Sequence, residues 1–449
     1  MDQREVSVNL FDMVLCFSRA LDLLHPCISD HHLQVANIAA QIGEVIGLSF
    51  EEQQDLLIAG ALHDVGSVSV AARLALLDYS LATYSDGAGK APENIHKHGF
   101  EGWLLLRDFA PFARAASIIR YHHVRWDNGR GATFAGEAVP LCGHILHLAD
   151  RIAVLPRSGE NILDQRDQIV RSVRALAGTA FQPELIVAFE ALAAKESFWF
   201  DLAYPHKEML LRRRASNRQV ALGVDELQDL AAVFGRIIDF RSPFTATHSS
   251  GVAATAGALA ALLGMGEQEQ KLMRVAGHLH DLGKLAVPPE ILDKPGPLSP
   301  AELNIVRSHT YHTYRILETV PSLETINVWA SFHHERLDGH GYPFQPDVLP
   351  LGSRIVAVAD VFTALNEDRP YRQGMLRSEV LDVLAREVTD RALDGDVVAA
   401  VVRNFEQLEC VRLFSQGAGS GRSTRVPASQ GEAFGDAMTT NRHPSRSFS

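Results

Sequence analysis

Two series of histidines and aspartates occur in the same order in the two halves of this 449-residue chain. The first series is His31, His63, Asp64, His98, His122, His123 and Asp150, and the second is His248, His280, Asp281, His309, His333, His334 and Asp360. The offset is 217 residues for the first three positions (31 to 248), 211 for the next three (98 to 309) and 210 for the last (150 to 360). Matched positions with two small changes of register indicate a tandem duplication, so we predict two copies of one domain.

The segments between these residues have the spacing of amphipathic helices. Apolar residues recur at helical intervals in 35–42 and again in 252–259, and strand-like alternation is scarce. Small residues in both runs would let helices approach each other closely. We therefore predict an all-α protein of two tandem helical bundles, each with its histidines and aspartates pointing inward from several helices.

The adjacent pair His280-Asp281 offers an imidazole nitrogen and a carboxylate oxygen, a mixture that borderline or hard divalent metals accept. Such a pair alone is ordinarily a helix-end histidine and a cap, but the full series is too large for one ion and suits two. Neighbouring helical residues point about 100° apart, so His333 and His334 are expected to reach two ions rather than share one. Asp281 would bridge two ions about 3.5–4 Å apart, an arrangement that supports in-line displacement at phosphorus.

A longer signature continues past these ligands. It comprises His280-Asp281-x-Gly-Lys, Asp338-Gly339-His340-Gly341-Tyr342-Pro343 and Arg369-Pro370-Tyr371-Arg372, together with the ligands already named. With these motifs, residues 230–405 resemble the HD-GYP family of all-helical, metal-dependent phosphodiesterases of bacterial cyclic dinucleotides. The resemblance implies hydrolysis of cyclic di-GMP or 3′,3′-cyclic GMP-AMP to a linear dinucleotide or mononucleotides by a metal-bridged hydroxide. It also implies two divalent ions, iron or manganese, as cofactors.

The resemblance assigns roles to individual residues. Asp281 and Lys284 would be catalytic, the whole second series would bind metal, and the substrate would be held by Lys284, Asp338, Gly341, Tyr342, Thr363, Arg369 and Arg372. Alternatives remain open for some of these: an exposed surface lysine at 284, ion pairs of the two arginines with Glu367 or Asp368, and a purely structural turn at Gly341-Tyr342.

Some positions depart from the family pattern. Phe244 stands where members with three metals carry glutamate, which favours a two-metal site, and Thr313 replaces a usual glycine, which questions the close packing there. The extra histidines His278, His312 and His340 have no place among the ligands and are expected on the surface or behind the metal site.

The first copy keeps every ligand position but lacks the substrate-binding parts. Ser67 stands in the place of Lys284, residues 127–132 replace the Gly-Tyr-Pro loop, and Leu155-Pro156-Arg157 is no counterpart of the Arg-Pro-Tyr-Arg segment. We interpret residues 1–205 as a degenerate HD domain that binds metal and supports, dimerises or regulates the second copy. A second active phosphodiesterase is the alternative.

Charge, cysteine content and the absence of long apolar runs limit the possible partners and location of the protein. A net charge of −12 provides no basic field for a nucleic acid polymer or an anionic membrane, and the four scattered cysteines form no metal or disulfide framework. Without a signal-peptide pattern or an apolar run of membrane-spanning length, a cytoplasmic protein is expected. We predict a linker helix at 206–225, the HD-GYP domain at 226–410 and a disordered tail at 411–449.

Two other functions compete with a cyclic dinucleotide phosphodiesterase. One is a catalytically silent receptor that binds a cyclic dinucleotide and signals through a partner, although such a receptor has no need of both the ligands and Lys284. The other is an HD phosphohydrolase of monomeric nucleotides, which Tyr342 and the two arginines disfavour. A homodimer or a contact with signalling proteins stays open.

Overall fold

The computed structural model describes residues 7–23, 30–67, 95–157, 159–215, 220–240, 247–368 and 373–422, with side chains up to 417. In these ranges the protein is a set of helices joined by short turns and two minimal strand pairs. The first copy contains α1 (Leu10–Asp22), α2 (His31–Val45), α3 (Phe50–Leu62), α4 (Lys97–Leu106), α5 (Ala113–Arg120), α6 (Leu141–Ala153), α7 (Ile162–Arg174), α8 (Pro183–Ala193) and α9 (Glu196–Ala203). Helix α10 (Lys207–Ala215) lies in the predicted linker.

The second copy repeats the helices of the first. It contains α11 (Val224–Phe240), α12 (His248–Leu262), α13 (Glu267–Leu279), α14 (Pro289–Leu292), α15 (Pro300–Leu317), α16 (Glu324–Ser331), α17 (Leu351–Asn366), α18 (Arg377–Thr389), α19 (Gly395–Arg403) and α20 (Phe405–Arg422). Shifting α2 and α3 by 217 residues gives the bounds of α12 and α13, and shifting α5 by 211 gives those of α16. The duplication predicted from the ligands therefore extends to the helices that carry them.

Close approach of two helices brings the first ligands of each copy together. A Cβ on Gly277 of α13 would lie 2.6 Å from the Cα of Ala253 on α12, and a Cβ on Gly60 of α3 would lie 2.5 Å from the Cα of Ala36 on α2. Only glycine lets the two backbones pack at this distance. In each copy the histidine directly after the glycine-containing helix, His63 or His280, is thereby held near the first residue of the neighbouring helix, His31 or His248.

Helix N-termini near the site are closed by local side chains. Ser49 and Glu52 form a reciprocal capping box at α3, and Ser299 and Glu302 form another at α15, where Pro300 occupies the first helical turn. Such caps satisfy backbone N–H groups that a helix leaves unpaired at its start. They fix the starting points of two helices that lead to metal-site histidines.

The two copies pack against each other through equivalent elements. The rings of Phe17 on α1 and Phe234 on α11, which are 217 residues apart, stack at a centroid distance of 4.0 Å and an angle of 11°. Helix α1 packs on α15 while α11 packs on α4, and strand β1 (Val8–Asn9) pairs antiparallel with β4 (Ala221–Leu222). The other strand pair, β2 (Thr133–Phe134) with β3 (Glu137–Ala138), lies within the first copy. Equivalent residues that contact one another are the mark of an approximate two-fold axis, so we call this contact the pseudo-two-fold interface.

The C-terminal helix corrects one prediction. Residues 411–422, expected to begin a disordered tail, continue α20 to Arg422. Ser415 Oγ donates to the carbonyl of Ser250 at 2.9 Å, and Gln416 Nε2 donates to the carbonyl of Thr247 at 3.3 Å. These contacts with the start of α12 stabilise a segment whose glycine and serine content had suggested disorder.

Within the described ranges, no helix has the length and apolar character needed to cross a membrane.

Candidate metal centre

The second series of predicted ligands converges on one buried region of the second copy. These side chains come from the first residue of α12, the turn after α13, the middle of α15, the turn after α16 and the middle of α17, and they are His248, His280, Asp281, His309, His333, His334 and Asp360. Their ligand atoms form three overlapping groups, each with all members within 4.8 Å of one another. The structure thus brings together every metal ligand expected from the sequence.

The histidine doublet does not lie on a helix, although a helix was expected there from the sequence. Helix α16 ends at Ser331, so His333 and His334 lie in a turn and the helical angle assumed for them was wrong. Both imidazoles group with that of His309, while His333 also groups with His280 and Asp360. His333 therefore stands between two potential ion positions, and His334 faces one of them.

Backbone carbonyls orient the imidazoles. The Nδ1 atoms of His280, His309 and His333 lie 2.8, 2.7 and 2.6 Å from the carbonyl oxygens three residues earlier in each case. A carbonyl accepts, so each Nδ1 carries the proton and each Nε2 presents its lone pair to the centre of the cluster. This arrangement behind the ligand atom is the one that metal-binding histidines use.

Asp281 lies between two sets of histidines. Its Oδ2 is 3.2 Å from His280 Nε2, and its Oδ1 is 3.4 Å from His309 Nε2. The two carboxylate oxygens thus face different imidazoles, as a bridging carboxylate must. Asp360 closes the first set, with its Oδ1 3.1 Å from His248 Nε2.

Charge and burial favour the metal-binding forms of these groups. Burial lowers the pKa of His309 to about 3 and holds the pKa of His333 well below its usual value. Burial alone would raise the pKa of Asp281, but the neighbouring His280 and Lys284 keep it well below the usual value. Neutral imidazole and ionised carboxylate are the forms that bind metal ions.

His248 is a different case because it has two acidic neighbours. Burial lowers its pKa, but hydrogen bonds with Asp360 and Glu367 outweigh burial and raise it to about 10. Its Nδ1 lies 2.9 Å from Glu367 Oε2, which leaves Nε2 directed at Asp360. A cation bound here must displace a proton, so its affinity is expected to rise with pH.

The cluster has the unsatisfied atoms that a metal site requires. Nε2 of His280 and Oδ1 of Asp281 are buried and make no hydrogen bond with any described residue. Buried polar atoms without partners are costly, and both atoms point into the same cluster. The donor set of imidazoles and carboxylates fits divalent ions such as iron or manganese.

The turn after α13 is held tightly against α15. A Cβ on Gly283 would lie 1.9 Å from the carbonyl oxygen of His309, so this backbone contact admits only glycine. Thr313 Oγ1 accepts from Gly283 N at 2.9 Å and donates to the carbonyl of His280 at 3.1 Å. Close packing is therefore kept with threonine at position 313, because its hydroxyl joins the two elements that supply His280 and His309.

Lys284 lies beside the proposed bridging carboxylate. Its Nζ is 2.5 Å from Asp281 Oδ2, and about a quarter of its side chain is exposed. The alternative of an ordinary surface lysine does not describe this position. Its predicted contact with phosphate stays a prediction.

The glycine-tyrosine-proline loop borders the metal cluster. Backbone N–H groups of Phe344 and Gln345 donate to Oε1 of the buried Glu335 at 2.6 and 3.1 Å. The ring of Tyr342 lies 5.1 Å from that of His334, and the guanidinium of Arg307 lies 4.4 Å from the centre of the Tyr342 ring. The loop therefore holds an aromatic ring and a cation at the edge of the cluster.

Other predicted substrate residues differ in their surroundings. Asp338 binds the guanidinium of Arg336 and the N–H of His340, which lowers its pKa to about 2 and indicates a role in shaping the loop. Thr363 is fully buried in α17 and presents no surface to a ligand in this conformation. Predictions for Arg369, Arg372 and Phe244 fall outside the described residues.

The extra histidines have three different environments. His278 is buried, and burial lowers its pKa to about 3, while His312 is half-buried and His340 is exposed. None of the three belongs to a potential metal group among the described residues. They therefore lie outside the candidate ligand groups.

Comparison with known proteins agrees with this geometry. Residues 28–155 and 232–397 each match a model of the HD domain. The 3′3′-cGAMP-specific phosphodiesterase 1 of Vibrio cholerae is 33% identical over 413 residues, covering 90% of this chain and 93% of that protein. The chain belongs to the HD-GYP family of cyclic dinucleotide phosphodiesterases. The all-α fold, the tandem HD domains and the enzyme class predicted from the sequence are thereby confirmed.

Two further comparisons differ in the length of chain that they cover. A crystal structure of a cyclic GMP-AMP specific phosphodiesterase of Vibrio cholerae matches with a TM-score of 0.60 at 25% identity, over 89% of this chain and 98% of that one. The cyclic di-GMP phosphodiesterase response regulator of Xanthomonas campestris is 36% identical over 178 residues, covering 39% of this chain and 47% of that protein. The first likeness includes both HD domains, whereas the second covers less than half of this chain.

The first HD domain repeats the geometry of the HD-GYP site. Asp64 Oδ1 lies 3.4 Å from His98 Nε2, and Asp64 Oδ2 lies 3.3 Å from His63 Nε2. The Nε2 of His98 is 3.1 Å from that of His122 and 2.9 Å from that of His123. Asp64 is thus placed like Asp281, with its two oxygens facing different imidazoles.

Three residues near the HD-GYP site were not identified from the sequence. Arg307 faces Tyr342, Glu335 ties down the loop and Glu367 orients His248. Arg307 is two residues before His309 and Glu335 directly follows the doublet, so proximity in sequence was the available signal. Glu367 was considered only as an ion-pair partner of the arginines that follow α17.

Proposed function

We propose that the second HD domain hydrolyses 3′,3′-cyclic GMP-AMP in preference to cyclic di-GMP. The proposal is supported by the extent of the likenesses, because the two cyclic GMP-AMP specific enzymes described above match through both HD domains. The cyclic di-GMP enzyme of Xanthomonas campestris matches less than half of the chain. The active protein would be cytoplasmic and would act without a nucleic acid polymer or a membrane.

The observation that carries the chemistry is the position of Asp281 between two histidine sets. Its oxygens lie 3.2 and 3.4 Å from imidazole nitrogens on opposite sides. We propose that His248, His280, Asp281 and Asp360 hold one divalent ion and that Asp281, His309, His333 and His334 hold the other. Two such ions, iron or manganese, would supply Lewis acidity and an activated water for in-line attack on phosphorus.

Protein side chains would position the phosphodiester at this centre. The Lys284 ammonium can move from Asp281 to a non-bridging phosphate oxygen as negative charge develops there. Tyr342 offers a ring face on which a base can stack, and Arg307 offers a guanidinium beside that ring. Arg369 and Arg372, which follow α17 in sequence, are proposed to bind the second phosphate or a base.

Steady-state hydrolysis of both cyclic dinucleotides by the purified, metal-loaded chain tests this function. Product chromatography would distinguish a linear dinucleotide from mononucleotides, and metal analysis of the same sample would give ion identity and number. The proposal expects kcat/KM to be at least about tenfold higher for cyclic GMP-AMP. Preference for cyclic di-GMP would overturn the substrate assignment but not the chemistry.

A matched pair of variants separates the chemistry from substrate binding. Asp281→Asn removes the bridging charge while keeping size, and Asp338→Asn changes a carboxylate in the loop away from the ligands. The first should lose hydrolysis and metal, and the second should keep its metal. Tight binding of either dinucleotide by fully metal-loaded wild-type protein without any turnover would instead indicate a receptor.

A further inference from the structure

The two HD domains differ beside their last aspartate ligand. In the second domain Asp360 is followed by Val361, and Asp360 groups with His280 and His333 as a potential metal set. In the first domain Asp150 is followed by Arg151, whose Nη2 lies 2.6 Å from Asp150 Oδ2. Less than a tenth of either side chain is exposed, so this ion pair is buried beside the ligand cluster.

Arg151 introduces a fixed positive charge at one of the two ion positions. A guanidinium stays protonated in proteins, and here it binds one oxygen of Asp150 while the other oxygen lies 3.2 Å from His31 Nε2 and 3.8 Å from His63 Nε2. An ion at this position would have to share Asp150 with a neighbouring cation. Among the described residues, His31, His63 and Asp64 still form a potential group of three ligands at this position, but Asp150 belongs to no such group, whereas Asp360 does.

The other ion position of the first domain keeps its donors. The Nε2 atom of His98 lies 3.1 Å from that of His122 and 2.9 Å from that of His123. Asp64 Oδ1 lies 3.4 Å from the same His98 Nε2. Three imidazoles and a carboxylate are sufficient ligands for one divalent ion.

We propose that the first HD domain holds a single divalent ion, bound by Asp64, His98, His122 and His123, and that the Arg151 guanidinium replaces the second ion. The charge that a second ion would bring to Asp150 is then supplied by the protein itself. Two-ion displacement at phosphorus requires both ions, so this domain binds metal without hydrolysing a phosphodiester. The inference concerns metal number only and does not depend on which cyclic dinucleotide the second domain hydrolyses.

Metal counting on the intact chain tests the proposal. Crystals of wild-type protein, measured on both sides of the metal absorption edge, should show one anomalous peak in the first domain and two in the second. Elemental analysis should give about three ions per chain. Two peaks in the first domain, or none, would overturn the proposal without any variant.

Exchanging the residue after the aspartate tests the role of Arg151 itself. Arg151→Val, which copies the second domain, should add a peak at Asp150, and Val361→Arg should remove the peak at Asp360. Arg130→Val is the control, because Arg130 is an exposed arginine of the same domain paired with Asp127, and it should leave the count unchanged. If Arg151→Val does not fold, Arg151→Met provides an uncharged side chain of similar length. An unchanged count in a folded, uncharged variant would show that Arg151 does not exclude the second ion.

Discussion

Replacing Thr313 by valine is expected to loosen the metal centre without touching a ligand. The threonine hydroxyl accepts from Gly283 N–H and donates to the His280 carbonyl, at 2.9 and 3.1 Å, and Thr313 is fully buried. Valine has almost the same shape, so both backbone groups would remain buried without this partner. Each of the two unpaired groups costs about 1–3 kcal/mol, which predicts a loss of roughly 2–6 kcal/mol in the free energy of unfolding.

This loss should be visible as a lower melting temperature of the second domain. For a domain of this size, 1 kcal/mol corresponds to about 2–4 °C, so a loss of about 4 kcal/mol, in the middle of this range, would lower the melting temperature of Thr313→Val by roughly 8–16 °C. Because the turn from His280 to Lys284 is fixed through this hydroxyl, metal affinity should fall as well. Differential scanning calorimetry and metal analysis on the same preparations would measure both effects.

Thr313→Ser is the matched control. Serine keeps the hydroxyl and loses only a methyl group, which costs about 1 kcal/mol. The reasoning is refuted if the valine and serine variants unfold within about 0.5 kcal/mol of each other and hold equal metal, since the methyl group would then explain the whole effect.

Four further predictions address individual residues. Asp281→Ala should abolish hydrolysis and lower the metal content of the second domain, and full turnover with normal metal would contradict a dinuclear centre. Lys284→Ala should keep its metal but lose turnover, which metal analysis beside kcat and KM would check. Arg307→Ala should raise KM with little change in kcat. Arg307→Lys should recover only part of the lost affinity, because lysine lacks the planar guanidinium. An unchanged KM in Arg307→Ala would show that Arg307 is not part of the substrate site. His63→Ala should leave the metal of the first domain in place and should not stop hydrolysis by the second domain. It should lower the melting temperature of the first domain, because buried contacts are lost. Loss of hydrolysis would show that the two domains depend on each other.

The ligand set could be predicted from the sequence because each member occupies a fixed place in a repeated series. Both Asp64 and Asp281 lie between two histidine groups, as the duplication required. The placement of the doublet could not be predicted in the same way. Helix α16 ends at Ser331 without a glycine or proline to mark the end, and Phe332 N still bonds to the carbonyl of Val328.

Long-range contacts explain the other differences. Ser415 and Gln416 extend α20 because they bond to the start of α12, more than 160 residues away in sequence. Arg307 and Tyr342 meet only after the loop folds back over α15. Local composition holds no information about such partners, so tertiary structure overrode a low helical propensity in the first case.

The pseudo-two-fold interface means that this enzyme carries its own dimer partner on the same chain. A covalent link keeps Phe17 and Phe234 at a high effective concentration, so dilution cannot separate the two faces as it would separate a homodimer. Fusion also removes the constraint that every change occurs twice: serine at 67 can coexist with lysine at 284, and arginine at 151 with valine at 361. An isolated second domain would expose the Phe234 face and is expected to pair with another copy of itself. Such a fragment would contain two equal sites, and its kinetics would describe a symmetric pair rather than the two unlike domains of the fused chain.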